Sequence, residues 1–164
     1  MSDKTPLVTP EGKDRLQAEL DQLWRVERPE TTQKVSWAAS LGDRSENADY
    51  QYNKKRLREI DRRVRYIRKR LEQLKVVHYH PQQEGKVFFG AWAKIERIET
   101  DDAPSEVLHF RIAGYDEIFD REDYVSVDAP MAQALLGKVV DDEVKVEAPG
   151  GAQWWRILEI VYNK

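Results

Sequence analysis

Residues 53–75 read NKKRLREIDRRVRYIRKRLEQLK, and the spacing of their apolar members decides the first half of the fold. Leu57, Ile60, Val64, Ile67, Leu71 and Leu74 follow one another at steps of 3, 4, 3, 4 and 3, the a/d seam of a coiled coil. Neither glycine nor proline interrupts the stretch from Ser45 to Val76, which predicts a helix of roughly 48 Å at 1.5 Å per residue. A seam needs a partner, and Leu16, Leu20, Leu23, Val35 and Ala38 supply one upstream. Pro29 falls in the gap between those two groups, where a break or kink is expected because proline lacks an N–H and crowds the preceding turn. Two helices joined at Gly42 and the polar stretch GDRSENADY (42–50) make an antiparallel hairpin, a finger too slender to be a globular core.

Beyond HYHPQQEG (78–85) the period changes to alternation. KVFFGAWAKIERI (86–98), EVLHFRIAGYD (106–116), DYVSVD (123–128), DEVKVE (142–147) and WWRILEIVY (154–162) read as strands, and ETDDAPS (99–105) as the most flexible loop. APMAQALLGK (129–138) reads as a short helix, with Pro130 in its first turn and Gly137 past its end. The fold class is α+β: an N-terminal antiparallel coiled-coil finger over 1–79, then a small antiparallel β-sheet domain with one short helix over 80–164. The five tryptophans, of which Trp92, Trp154 and Trp155 fall in strands, are expected in the core and sheet rather than stacked on a ligand.

The chain contains no cysteine, so disulfides, thiolate metal sites and cysteine nucleophiles are excluded, and only His78, His80 and His109 remain as nitrogen ligands. No run of eighteen apolar residues occurs and MSDKTPLVTP has no leader pattern, so a cytoplasmic protein without membrane contact is expected. Charge is divided unevenly. Residues 1–79 carry 18 Lys and Arg against 13 Asp and Glu, whereas 80–164 carry 9 against 17. The basic half is the one suited to a polyanion.

Between Lys54 and Arg70 there are ten basic and two acidic residues. Lys55, Arg58, Arg62, Arg65 and Lys69 recur at steps of 3, 4, 3 and 4, and so line one face opposite the seam. A merely solvated coiled-coil exterior usually alternates sign, and Glu59 and Asp61 can offset only part of this stripe. A polyanion-binding face is therefore the stronger reading, through phosphate contacts that position a nucleic acid without reading its bases.

Asp43 and Glu46 stand three residues apart at the junction of the helices. The simple reading is a capping box, with Asp43 as N-cap and Glu46 at N3. A compatible one is that the pair shares a hard cation. Two carboxylates alone hold Mg²⁺ poorly, since the ion prefers six oxygens and keeps its waters, so no cofactor is expected to bind stably to the free chain. Presented to a second protein that already holds a metal and a phosphodiester, the pair could fix a second ion and position a water for attack.

These residues resemble a known family. WAASLGDRSENADYQYNKKRLREIDRRVRYI (37–67), with PLVTPEGKDRLQAEL, LWRVERPE, HPQQEGKVFFGAW, FRIAGYDEIF and SVDAPMAQALLGK, closely resembles the bacterial transcript-cleavage factors, the Gre family, in its B branch. The likeness covers nearly the whole chain. It implies a finger that enters the secondary channel of bacterial RNA polymerase and an FKBP-like C-terminal domain that docks at the channel entrance. It further implies that Asp43 and Glu46 help coordinate a Mg²⁺ shared with the polymerase active site, which then hydrolyses its own backtracked RNA. The chain would thus be a co-catalyst and not a free-standing enzyme. The stripe Lys55, Arg58, Arg62, Arg65 and Lys69 corresponds to the family's basic patch for the extruded RNA 3′ segment. Asp128 and Pro130 correspond to contacts with the rim coiled coil of the polymerase's largest subunit, with Ala129 standing where members commonly carry Ser. Asp128 is also expected to cap the helix that follows. Asn47 and Tyr50 are read as shaping the tip, and Ser45 as a contact near the active site. A monomer is expected from a finger that must enter alone. Two other functions compete: a channel-binding regulator without cleavage stimulation, which would not need the acidic pair, and prolyl isomerisation, which rests on fold likeness alone.

Overall fold

The computed structural model describes residues 6–42 and 46–163. Its chain divides into two compact units, Lys13–Leu74 and a second made of Met1–Gly12 with Lys75–Lys164. Among the described residues no helix is long and apolar enough to cross a membrane.

The first unit is the helical hairpin. One limb comprises α1 (Pro10–Gln22), a π-helical turn (Leu23–Glu27) and α2 (Arg28–Ala39), and the other is α3 (Ala48–Gln73). Leu16, Leu23, Ile60, Val64 and Ile67 are buried between the limbs, with Leu20, Leu71 and Leu74 packed against them. Burial of each such side chain contributes about 1.5–3 kcal/mol. Pro29 does not break the limb. The Arg28 N–H bonds to Leu23 O, five residues back, and the wide turn this creates leaves Pro29 in the first turn of α2, where no N–H is required. α3 is shorter than the expected span, at 26 residues or about 39 Å, because Leu74 turns extended and Lys75–Val76 forms a strand.

In the second unit, β1 (Leu7–Val8) pairs in parallel with β2 (Lys75–Val76). Contacts therefore divide the chain differently from the sequence boundary at 79/80: residues 6–12 belong with the C-terminal body. The main sheet has the order β5-β4-β3-β7-β6, where β3 is Trp92–Arg97, β4 Glu106–Ala113, β5 Tyr124–Ser126, β6 Glu143–Ala148 and β7 Gly151–Val161. It is mixed, which corrects the antiparallel expectation, because β4 and β5 run parallel. The segment between them contains a 3₁₀ turn at Tyr115–Glu117 and carries the chain back before it re-enters the sheet in the same direction. Ile95, Phe110, Ile112, Val144, Val146, Trp155 and Ile157 form the core, closed by Ala132 and Leu135 of α4 (Pro130–Leu135). Trp92 and Trp155 are buried and Trp154 lies exposed in β7, so the expectation of core and sheet tryptophans holds for three of the five, while Trp24 and Trp37 are exposed on the hairpin. The 99–105 loop is held by a Thr100–Ala103 bridge and by Arg97, whose guanidinium donates to Pro104 O at 2.9 and 3.2 Å.

Glu117 ties this unit together. It is 3 % exposed and accepts from Thr9 N at 3.0 Å, Gly114 N at 2.8 Å and the Thr9 hydroxyl. Thr9 Oγ1 in turn accepts from Gly12 N at 3.0 Å, capping the first turn of α1. Gly12 and Gly114 are required by this arrangement: a Cβ would lie 2.2 Å from Glu117 Oε1 at the first and 2.0 Å from Leu7 O at the second.

Candidate functional site

Among the described residues one side chain bonds to both limbs at the turn. Asn47, the N-cap of α3, accepts from Tyr50 N at 3.1 Å through Oδ1 and donates to Ala38 O at 2.7 Å through Nδ2. One amide thus satisfies an orphan donor of α3 and adds a second donor to Ala38 O, which also accepts from Leu41 N at 3.1 Å, so it joins the two limbs in register. Tyr50 is buried beneath the turn, and its hydroxyl accepts from Lys54 Nζ at 3.0 Å. Asn47→Ala is expected to lower stability of the hairpin by roughly 0.5–2 kcal/mol, chiefly the lost cap, since Ala38 O keeps its bond from Leu41 N, measured by helical ellipticity during thermal unfolding. Asn47→Asp, which keeps the cap acceptor and removes the donor to Ala38, should recover only part of it.

This cap overturns the capping-box expectation. α3 begins after Asn47, so Glu46 lies outside the helix, one residue before the cap, and is exposed. Asp43 and Ser45 lie outside the described residues. Among the described residues no group of three or more His, Asp or Glu could hold a metal ion. Glu46 is a solvent-facing carboxylate.

Lys55, Arg58, Arg62, Arg65 and Lys69 are all exposed on α3, spanning roughly 21 Å of its length. None makes an ion pair or side-chain hydrogen bond among the described residues. The acids that might have offset them are committed elsewhere. Asp61 accepts from Arg28 Nε at 2.7 Å across the hairpin, a bond that raises the guanidinium pKa further above its ordinary value. Glu59 approaches Arg56 at 3.6 Å, and Arg56 also reaches Glu27 at 2.7 Å. Arg63 grips Glu19 in a two-pronged pair at 2.6 and 2.9 Å. The ten basic residues thus separate by position: Arg56, Arg63 and Arg68 reach the other limb, Lys54 and Arg70 contact rings of their own helix, and the five outward ones have no ion pair among the described residues. Each of these half-exposed pairs adds at most about 1 kcal/mol, so the separation matters more for the field at the surface than for stability.

Asp128 and Pro130 lie in the other unit, both exposed. The cap expected of Asp128 is absent: Ala129 is the N-cap of α4 and supplies no side-chain acceptor, while Asp128 N donates to Ser126 Oγ at 3.2 Å. The next residue toward the sheet, Val127, lines an open apolar groove of about 570 Å³ with Leu7, Phe88, Phe89 and Leu136. No periodicity could have shown this groove, because its walls come from four separated segments. Trp37, expected in the core with the other tryptophans, is 60 % exposed, and Tyr52, given no role from the sequence, is 70 % exposed; both lie near the hairpin turn.

Comparison with known families matches residues 6–76 to the N-terminal domain of a transcription elongation factor and 82–162 to the C-terminal domain described as transcription elongation factor GreA/GreB. Transcription elongation factor GreB of Pseudomonas putida is 63% identical over 160 residues, 98% of this chain and 96% of that protein. GreB of Vibrio vulnificus is 59% identical over 162 residues, 98% of each chain. The solved structure of the transcription factor Gfh1 aligns with 97% of this chain and 99% of its own, at 20% identity and a TM-score of 0.45.

Proposed function

Because the chain belongs to the GreA/GreB family of transcription elongation factors, we propose that it inserts its hairpin turn into the secondary channel of RNA polymerase and stimulates endonucleolytic cleavage of backtracked RNA by the polymerase. The observation that carries this reading is the pairing of a solvent-facing carboxylate just before α3 with five cations along α3 that have no ion pair among the described residues. The cations suit the phosphates of an extruded RNA 3′ segment. The carboxylates of Asp43 and Glu46 suit a Mg²⁺ ion shared with the polymerase, which would supply Lewis-acid stabilisation of the attacked phosphodiester. The chain's own residues position and complete; they do not form a free-standing active site. Asp128 and Pro130 serve in docking to the rim coiled coil of the largest subunit.

The test is a stalled, backtracked elongation complex carrying end-labelled RNA. Addition of the protein is expected to release 3′ fragments and restore elongation. A protein that binds the complex and releases none would be a channel-binding regulator of another kind, and the cleavage reading would fail.

The stripe makes a separate prediction. Replacing Lys55, Arg58, Arg62, Arg65 and Lys69 together by Gln should leave the hairpin folded, since none of the five touches the seam. Each phosphate contact on a single strand contributes about 0.7 to the slope of log affinity against log salt, so the variant's slope should fall by roughly 3 to 4. The measurement is RNA binding at several salt concentrations, and an unchanged slope would remove the stripe from the interface.

A further inference from the structure

The hairpin carries five aromatic side chains, and three of them are occupied. Trp24 lies under the guanidinium groups of Arg68 at 4.4 Å and Arg28 at 5.2 Å. Tyr66 is covered by Arg63 at 5.3 Å and Arg70 at 5.9 Å. Tyr50 is buried, with Lys54 Nζ 5.3 Å from its ring. Trp37 and Tyr52 differ: both rings are exposed, and neither has a ring or cation partner among the described residues. They belong to different limbs, Trp37 in the last turn of α2 and Tyr52 in the second turn of α3, so both lie toward the hairpin turn.

Each has a basic residue beside it, Lys55 for Tyr52 and Lys34 for Trp37. Tyr52 precedes Lys55 by three residues, which places the two side chains as adjacent projections at the turn-proximal end of the stripe. Trp37 lines a shallow cavity of about 310 Å³ with Lys34, Gln33 and Glu30. A strand whose phosphates follow the stripe toward the turn reaches Tyr52 next, and Trp37 stands at the same end of the hairpin on the other limb. Aromatic faces beside a cationic track are what single-stranded nucleic acid uses for sequence-tolerant binding, because every base has a stackable face.

We propose that Trp37 and Tyr52 are base-stacking platforms for single-stranded RNA, continuing the phosphate track of α3 to the hairpin turn. The inference rests on the reading of the stripe as RNA-facing, and adds bases to a contact otherwise made only with phosphates.

The test uses the full chain and fluorescence anisotropy with two probes, a short labelled single-stranded RNA and an abasic strand of the same length. Wild type should prefer the RNA to the abasic strand. Trp37→Leu and Tyr52→Leu should each weaken RNA binding about tenfold while leaving abasic binding and the salt slope unchanged. Trp37→Phe and Tyr52→Phe should retain most of the preference, and the melting temperatures of all four variants should match wild type. Equal wild-type affinity for the two probes overturns the stacking role alone, as does a Leu variant that keeps the preference. Binding of neither probe overturns the RNA reading of the stripe as well. Leu variants that bind RNA normally but lose affinity for polymerase would overturn the proposal by assigning the rings to a protein wall.

Discussion

Glu117→Ala is expected to be the most damaging single truncation in the C-terminal unit, lowering its stability by roughly 3–5 kcal/mol. The carboxylate is almost wholly buried and receives three donors, Thr9 N, Gly114 N and the Thr9 hydroxyl. Removing it leaves two backbone N–H groups without acceptors in a place that water does not reach, and each such group costs about 1–3 kcal/mol. The Thr9 hydroxyl also loses its acceptor, which loosens the cap on Gly12 N. Glu117→Gln keeps one acceptor oxygen but turns the other into an N–H₂ facing donors, so it should fall between wild type and Ala. For a body of about a hundred residues each kcal/mol lowers the melting temperature by about 4–8 °C. Emission from the buried Trp92 and Trp155 follows this unit during thermal unfolding. A Glu117→Ala protein that melts with wild type would show that the carboxylate ties nothing together.

Asp43→Asn and Glu46→Gln are expected to lower stimulated RNA cleavage by on the order of a hundredfold each while leaving polymerase binding intact. The amides are nearly isosteric with the carboxylates but carry no charge, so they weaken coordination of a hard divalent cation and change little else. Glu46 is exposed, lies outside α3 and has no hydrogen bond or ion pair among the described residues, so its substitution should not move the melting temperature. That separation makes the test clean: loss of cleavage with retained affinity and unchanged stability assigns the carboxylates to chemistry. Raising Mg²⁺ concentration should partly restore the single variants, because mass action can offset a weakened site. Variants that cleave like wild type would exclude these carboxylates from metal coordination.

The features legible in the sequence share one property, that they repeat over three or four residues. The seam of Ile60, Val64 and Ile67 and the five-residue basic stripe were both readable, because a helix converts spacing directly into a face. The start of α3 was not, although its cap is local. Asp43 and Glu46 fit a capping-box pattern, but Asn47 also donates to Ala38 O, nine residues away on the other limb, and a pattern rule weighs only one side of that exchange. The parallel pairing of β4 with β5 was missed for a related reason. Alternation shows which residues face the core and carries no information about strand direction, which here depends on the path of the chain around Glu117.

By itself, then, the sequence determined the two halves of the chain, the apolar seam and the outward position of Lys55, Arg58, Arg62, Arg65 and Lys69, all consequences of backbone periodicity. Tertiary structure alone decided which charges remain available. Asp61 lies within reach of the stripe in sequence, yet pairs with Arg28, 33 residues away, and Arg63 spans 44 residues to Glu19. The joining of Thr9 to Glu117 spans 108 residues and draws the N-terminal segment into the C-terminal body. Such partnerships depend on which surfaces the packed core brings together, and no local spacing encodes that.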